Sequence, residues 1–216
     1  MREQREKIEA EQLERYHTGT VDRLRRICFP DAVMNEWTLD HCILDQKMLN
    51  LAQKYIDHWQ EIRQGNYGLL LWGPSGTGKT YLSACIANAL IEKEVSVRMI
   101  SLSDIMYRNY NEINDYIEEV CRAELLIIDD FGIERNTSSS PETTYRLINK
   151  RSLTHKPLIG STNLSPDAMK YNDNPERQRI SDRIFEMTVP IPFTGSSIRR
   201  DIGRNKKDEL KSILNS

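Results

Sequence analysis

The chain has 216 residues, of which 29% are charged and 38% hydrophobic, and its formal net charge is -2. This length allows one domain with its own hydrophobic core, and the near-neutral charge excludes nucleic-acid binding through bulk charge, so any such binding must come from local patches. No apolar run approaches the roughly 20 residues that a membrane-spanning helix needs. Because the charged N-terminus also lacks the apolar core of a signal peptide, we expect a cytoplasmic protein that does not enter a membrane.

Residues 1–27 are predicted to form a charged helix with few apolar positions. These positions are Ile8, Leu13, Tyr16, Val21 and Leu24. Their spacing makes a narrow apolar stripe, which stabilises a helix mainly when it packs against a partner. A frayed, solvated terminus is the equal alternative. The helix is expected to end near Cys28, because Pro30 and the residue before it resist the helical conformation.

After Asp45, a predicted N-cap, helices and strands alternate along the chain. Predicted helices cover about 46–63 and 79–92, two successive helices lie between about 103 and 122, and two more begin at 140 and 174. Predicted strands cover about 68–72, 95–100, 125–129, 157–162 and 187–191. Such alternation predicts an α/β fold in which helices cover both faces of a parallel sheet.

The segment between the first predicted strand and the next helix carries a phosphate-binding pattern. Gly73, Gly78, Lys79 and Thr80 fit the spacing G-x-x-x-x-G-K-[ST] of the P-loop. Glycines let backbone N–H groups close around phosphate oxygens, Lys79 can reach the β and γ phosphates, and Thr80 can ligate Mg²⁺. An accidental match in a glycine-rich turn is the alternative, and the flanking strand and helix argue against it. The predicted nucleotide-binding residues are Gly73, Pro74, Ser75, Gly76, Thr77, Gly78, Lys79, Thr80 and Tyr81.

Two acids end the apolar strand that begins at Leu125. Open parallel sheets bind ligands at the carboxyl ends of their strands, so this strand has the form of a Walker B motif. Asp129 is expected to hold Mg²⁺ through water, and Asp130 to polarise or deprotonate the attacking water. The alternative is a strand that merely ends in a polar turn. Adjacent acids point in different directions, so the division of roles between them stays open.

Two further side chains are candidates for the same chemistry. Asn163 follows a strand and could orient the water beside the γ-phosphate if that strand lies between the P-loop and Walker B strands. It could equally cap the segment that follows it. Arg183 could act as an arginine finger on a neighbour's nucleotide. From spacing alone, ordinary pairing of the helix arginines with Glu176, Asp182 or Glu186 is favoured over the finger.

Together the motifs GPSGTGKT, LLIIDD, STN and RISDRIFEMT resemble the AAA+ ATPases, and within them the DnaC/IstB group of replicative helicase loaders and transposition ATPases. The resemblance runs from about residue 28 to about residue 204. It implies a five-stranded parallel sheet of order 5-1-4-3-2 and binding of ATP or ADP with Mg²⁺, whereas the C-terminal lid is expected to be reduced in this chain. It also implies that Asn163 is the sensor-1 residue and that Arg183 acts in trans.

Family members carry an extra helix that contacts single-stranded DNA at the position of residues 101–124. Tyr107, Arg108 and Tyr110 offer a stacking and cationic surface there, with packing of the helix on the sheet as the alternative. The chain departs from the family in a short region before Cys28, where loaders grip the helicase. It also has only Arg199 and Arg200 as sensor-2 candidates. The aspartate at position 130, where many members carry glutamate, suggests slow hydrolysis that suits a switch.

The sequence therefore predicts a charged helix at 1–27 that could contact a partner, an AAA+ domain at 28–204, and a basic tail at 205–216. The function expected from the resemblance is a DnaC-like helicase loader with slow ATP hydrolysis that depends on assembly and on single-stranded DNA. Its expected partners are a DnaB-like hexameric helicase, single-stranded DNA and further copies that meet through Arg183. An IstB-like transposition ATPase is the alternative. A small-molecule P-loop kinase is disfavoured by STN and by the RISDR helix.

Overall fold

The computed structural model describes residues 2–106, 108–131, 140–171 and 174–214. The strands are β1 Gly68–Trp72, β2 Val97–Ser101, β3 Leu125–Phe131, β4 Leu158–Thr162 and β5 Thr188–Pro192. The helices are α1 Arg2–Cys28, α2 Gln46–Asp57, α3 Trp59–Gln64, α4 Lys79–Glu92, α5 Leu102–Met106, α6 Tyr110–Arg122, α7 Ser140–Leu153, α8 Pro166–Lys170, α9 Pro175–Met187 and α10 Ile198–Leu214, with a 3₁₀ helix at Ala32–Glu36.

The five strands form one parallel sheet in the order β2-β3-β4-β1-β5. Read from the other edge, this is the predicted order 5-1-4-3-2, which is confirmed. The arrangement brings the carboxyl ends of β1, β4 and β3 side by side. Residues that follow these three strands therefore lie at one edge of the sheet, where α/β proteins of this kind bind ligands.

Side chains that alternate along the central strands form two separate cores, one on each face of the sheet. Leu125 and Ile127 pack with α1, α2 and α4, whereas Leu126 and Ile128 pack with α5, α6, α7 and α9. This alternation follows from the two-residue period of a strand. Burial on both faces explains why β3 begins with four consecutive apolar residues.

Side-chain caps fix the starts of several helices. The Asp45 carboxylate accepts from the Met48 N–H at 2.9 Å, as predicted, and the side-chain oxygen Oδ1 of Asn174 accepts from two N–H groups at the start of α9. The helix predicted at 46–63 breaks at His58 into α2 and α3. Two helices were not predicted: the short α8, and α10, which crosses the expected boundary at residue 204.

Helix α1 occupies the N-terminal segment and is attached to the domain by its second half. Val21 and Cys28 are buried, Arg25 forms an ion pair with Glu92, and His17 contacts Glu94 at 2.8 Å. Apolar residues of the first half, such as Leu13 and Tyr16, are exposed. Among the described residues, no helix combines the length and apolar character required to cross a membrane.

Strand β5 forms one edge of the sheet and contains Pro190 and Pro192. The Phe193 N–H donates to the Trp72 carbonyl of β1 at 2.7 Å. Because successive backbone groups of a strand alternate in direction, the backbone nitrogens of Pro190 and Pro192 face away from β1. Proline is tolerated at such positions because it has no N–H to donate.

Candidate functional site

The loop between β1 and α4 has the backbone that the P-loop pattern requires. Gly73, Gly76 and Gly78 all have positive φ angles, of 144°, 82° and 99°. A Cβ at Gly73 would lie 2.1 Å from the Phe193 carbonyl oxygen, so no other residue fits there without rearrangement. The loop thus brings backbone close to any group held in it, and α4 begins directly at Lys79.

Lys79 places a buried cation at the mouth of this loop. Its Nζ donates to the carbonyl oxygens of Gly73 and Pro74 at 2.7 and 2.8 Å, and to Oδ1 of Asn163 at 2.9 Å. Burial lowers the pKa of Lys79, and the carboxylates of Asp130 and Asp129 oppose that shift. These uncharged acceptors can be exchanged for phosphate oxygens, which bind an ammonium group more strongly.

Thr80 and Asp129 meet at the first turn of α4. The Thr80 hydroxyl donates to the two carboxylate oxygens of Asp129 at 2.9 and 3.1 Å, and the Ser161 hydroxyl also donates to Asp129. A hydroxyl and a carboxylate this close fit Mg²⁺, which prefers oxygen ligands and commonly binds one or two protein groups together with nucleotide phosphates. Among the described residues, no group of three or more His, Cys, Asp or Glu side chains could hold a metal, so Mg²⁺ here would depend on the nucleotide for its other ligands.

Asp130 occupies an irregular position at the end of β3. Both acids lie opposite Ser161 of β4, because the register shifts between Ile128 and Phe131. Asp130 has φ 58°, in the left-handed region that few residues other than glycine adopt. Partial burial and the neighbouring Asp129 raise the pKa of Asp130, while Lys79 and Arg199 act in the opposite direction. The carboxyl group is therefore held in the cleft against a conformational and an electrostatic cost.

Asn163 lies between the two motifs, because β4 pairs with both β1 and β3. Its side-chain oxygen accepts from Lys79. The helix that follows is capped by Ser165, whose hydroxyl accepts from the Ala168 N–H at 3.1 Å. Of the two interpretations of Asn163, the structure therefore favours the one that places it beside the P-loop.

The other end of the cleft is apolar and was not predicted. A cavity of about 290 Å³ extends from Lys79 and Asp130 to Trp37, Ile43, Tyr81 and Ile198. The rings of Trp37 and Tyr81 lie 5.2 Å apart and tilted by 31°. Of these four residues only Tyr81 was a predicted site residue. Trp37 and Ile43 lie in the segment before α2, where the aromatic residue was the only local signal.

This segment is attached to α4 by hydrogen bonds. The Asn88 amide donates to the carbonyl oxygens of Met34 and Trp37 at 2.8 and 2.9 Å, and the Tyr81 hydroxyl donates to His41 O at 3.0 Å. Asn88 is buried. The helix that begins with the P-loop lysine therefore also positions the apolar wall of the cleft.

Of the two sensor-2 candidates, Arg199 lines the cleft. It lies in the first turn of α10, next to Ile198, whose N–H donates to the Gly76 carbonyl oxygen at 2.9 Å. The Ser197 side chain fills the space next to Gly76, where a Cβ would lie 2.4 Å from its oxygen. The P-loop thus fixes the start of α10 and brings one arginine of the sequence Arg199–Arg200 to the site.

The structure does not bring Arg183 into this cleft within one chain. Its guanidinium donates to Glu186 at 2.8 Å on the partly exposed face of α9, which is one of the pairings that the sequence allowed. The guanidinium of Arg108 lies 3.7 Å from the centre of the Tyr116 ring. Tyr107 lies outside the described residues, and Tyr110 begins α6.

A parallel sheet of this order, with a P-loop, an acidic strand end and a polar residue on the strand between them, defines an AAA+ ATP-binding protein. Within that class, the chain belongs to the family of IstB-like ATP binding proteins, whose model matches residues 23–206. The family membership confirms the resemblance stated from the motifs and extends it slightly at both ends.

Relatives and solved structures agree with this assignment. The chain is 31% identical over 167 residues to the replicative helicase loader DnaI of Bacillus subtilis strain 168, covering 70% of this chain and 53% of that protein. It is 31% identical over 139 residues to an insertion-sequence protein of Mycobacterium tuberculosis strain H37Rv, covering 61% and 55%. The crystal structure of DnaI has a similar fold, with a TM-score of 0.66 at 22% identity, covering 81% of this chain and 98% of that one. The chain spans about half the length of the curated relatives it matches.

Proposed function

We propose that the chain binds and hydrolyses ATP and acts in DNA replication as a loader for a DnaB-like hexameric helicase. The observation that carries the ATPase assignment is the convergence of Lys79, Thr80, Asp129, Asp130 and Asn163 at one edge of the sheet. The helicase assignment is supported by the relative named as a replicative helicase loader.

Each group of the cleft has a defined role in this proposal. The P-loop backbone and Lys79 bind the phosphates, and the nucleobase occupies the apolar end beside Trp37 and Tyr81. Mg²⁺, held by Thr80 and by Asp129 through water, would supply positive charge that neutralises the phosphate oxygens. Asn163 orients a water molecule toward the γ-phosphorus. Asp130 accepts the proton that this water loses as its oxygen forms the new bond to phosphorus and the bond to ADP breaks.

Hydrolysis in this proposal is slow until subunits assemble. Within one chain Arg183 is paired with Glu186, so a neighbouring nucleotide has to attract it away. An exposed ion pair is weak, and the more concentrated negative charge of a triphosphate competes well with one carboxylate. Single-stranded DNA would promote this assembly, and the exposed first half of α1 would contact the helicase.

A transposition ATPase that acts on duplex DNA is the second candidate. Membership of the IstB-like family and the similarity to the insertion-sequence protein favour it. The ATP cleft serves both functions equally, so the two differ only in the partners that stimulate turnover. A discriminating experiment therefore has to vary the partner.

We would measure ATP binding by calorimetry and ATP turnover of the full chain, alone and with single-stranded DNA, duplex DNA or the replicative helicase. Light scattering would report the size of each complex. We expect turnover to rise and a mixed complex to form with helicase and single-stranded DNA. Lys79→Ala should weaken ATP binding by about a hundredfold, because the ammonium group makes the charged contacts to phosphate. Lys54→Ala, which changes an exposed lysine of α2, is the matched control and should bind normally.

The outcomes separate the possibilities. Tight ATP binding by Lys79→Ala would contradict the proposed phosphate site. Duplex-driven assembly with no effect of the helicase would replace the loader function by the transposition function. Rapid turnover by the isolated chain, unaffected by DNA or helicase, would contradict both.

A further inference from the structure

Three consecutive residues hold three different parts of the cleft: Ser161 and Thr162 end β4, and Asn163 follows it. Ser161 contacts both acids of β3, since its hydroxyl donates to Asp129 and accepts from the Asp130 N–H at 3.0 Å. The Thr162 hydroxyl donates to the Phe131 carbonyl oxygen at 2.8 Å, and Asn163 accepts from Lys79. Ser161 is 1% exposed, so its hydroxyl is isolated from bulk solvent.

The direction of both Ser161 hydrogen bonds is fixed by their partners. A backbone N–H can only donate, so the Ser161 oxygen must accept from Asp130. The hydroxyl hydrogen is then available for the Asp129 carboxylate oxygen Oδ1, which accepts it. Ser161 is therefore committed to a single arrangement, in which it links the carboxylate of one acid to the backbone of the next.

This arrangement satisfies the backbone N–H of Asp130 at the irregularity in β3. Asp129 and Asp130 lie together opposite Ser161, which leaves the backbone of the extra residue without a regular strand partner. Ser161 supplies that partner through its side chain. At the same time it contacts Oδ1 of Asp129, the oxygen that lies farther from the Thr80 hydroxyl, at 3.1 Å against 2.9 Å for Oδ2.

We propose that Ser161 is a positioning residue for Mg²⁺ binding, because it holds the Asp129 carboxylate in the orientation that faces Thr80. The inference rests on the proposed ATP-binding function. Ser161 itself does not touch the metal or the nucleotide. Groups that orient a metal-binding carboxylate in this way typically account for about a tenfold to a hundredfold change in metal affinity.

The test compares Ser161→Ala with wild type in a Mg²⁺ titration of nucleotide binding, with a non-hydrolysable ATP analogue as the probe. We expect Ser161→Ala to require about tenfold more Mg²⁺ for half-maximal enhancement of binding. Binding in EDTA should stay within about twofold, because the P-loop contacts remain. Ser161→Thr keeps the hydroxyl and should restore the wild-type Mg²⁺ requirement. Ser161→Cys, of nearly the same volume but with a weak donor, should resemble Ser161→Ala and replaces it if the alanine variant does not fold.

Ser83→Ala is the matched control. Ser83 is a fully buried serine of α4 whose hydroxyl has no hydrogen-bond partner in the described structure. The Ser83→Ala change therefore removes a buried hydroxyl oxygen, as Ser161→Ala does, but leaves the contacts of Asp129 unchanged. An unchanged Mg²⁺ requirement in folded Ser161→Ala or Ser161→Cys would overturn the proposal, and so would an equal increase in Ser83→Ala. Wild-type protein that binds no nucleotide would instead overturn the proposed function on which this inference rests.

Discussion

Asp130 combines two unfavourable features that belong to a single residue. Its backbone adopts a left-handed conformation, which costs a residue with a side chain of the order of 1 kcal/mol or more. Its carboxyl group has a raised pKa because of partial burial and the proximity of Asp129. Both features lower the stability of the fold. In return, the carboxylate lies in the cleft, where in the proposed reaction it accepts a proton from the attacking water.

We predict that Asp130→Asn stabilises the nucleotide-free protein and removes ATP turnover. Asparagine tolerates the left-handed conformation better, and it removes the charge that repels Asp129, so the melting temperature at pH 7 should rise by about 2 °C. Since the folded-state pKa of Asp130 is raised, its protonation stabilises the fold at low pH, and this contribution is lost as the pH rises through that pKa. The gain from Asn should therefore shrink between pH 7 and about pH 4.

Asp115→Asn, a change at an exposed carboxylate of α6, is the control for this experiment. It should alter neither the melting temperature at pH 7 nor ATP turnover. A lower melting temperature for Asp130→Asn than for wild type at pH 7 would contradict the idea that Asp130 is a destabilised group.

Among the elements, α4 has a double role. Its first turn carries Lys79 and Thr80, and two turns later Asn88 holds the segment that contains Trp37. The side-chain oxygen of Asn88 is buried without a hydrogen-bond partner in the described structure. A buried oxygen without a partner is unfavourable, and an apolar residue would avoid it. The two hydrogen bonds that the Asn88 amide donates therefore explain why this position is an asparagine.

We predict that Asn88→Ala separates base recognition from phosphate recognition. Affinity for ATP should fall by about tenfold because the apolar wall is no longer held in place, whereas affinity for inorganic tripolyphosphate should stay within about twofold. Calorimetric titration with both ligands measures the split. Asn114→Ala, at an exposed position of α6, should change neither affinity. An equal loss for both ligands would show that Asn88 acts through the P-loop instead.

For the whole molecule, the position of Arg183 outside its own cleft is the feature that bears on assembly. The side chain is partly exposed and paired with Glu186 three residues away, so its removal should hardly affect the isolated fold. If it acts on a neighbour's nucleotide, its effect should be visible only when chains, or a chain and its partner, come together.

We predict that Arg183→Ala keeps wild-type ATP affinity but loses the turnover that assembly stimulates. Arg179→Ala, one turn earlier on α9, should keep both and serves as the control. Mixing Arg183→Ala with Lys79→Ala should partly restore turnover, because the second variant supplies the arginine to the intact site of the first. Normal stimulated turnover by Arg183→Ala alone would remove the finger assignment.

The sequence was most informative where a function depends on neighbouring residues. Lys79 and Thr80 are predictable because the P-loop is one continuous segment, and the N-cap Asp45 because a cap acts within its own first turn. Asn163 depended on the strand order, which the family resemblance supplied. Trp37 and Asn88 could not be paired from the sequence, because their hydrogen bond joins residues 51 positions apart.

Arg151 illustrates the same limit in the core. It is completely buried, and its guanidinium donates to the carbonyl oxygens of Cys121, Ala123, Glu124 and Pro157. Burial lowers the pKa of Arg151 to about 10. No sequence motif marks this arginine of α7, because its partners are backbone atoms that only the folded sheet brings together.

The prolines of β5 also restrict how copies of this protein can associate. An edge strand with free N–H groups can accept a strand from another chain, and repeated addition leads to fibres. The outer edge of β5 offers no donor at Pro190 or Pro192, so a foreign strand would find only carbonyl oxygens at those positions. The opposite edge strand, β2, is joined to α1 by a hydrogen bond from Arg98 to the Ile27 carbonyl oxygen at 2.7 Å. Crowded copies of this chain are therefore expected to meet through side chains and to remain dispersible, with no continuous ladder running from one molecule to the next.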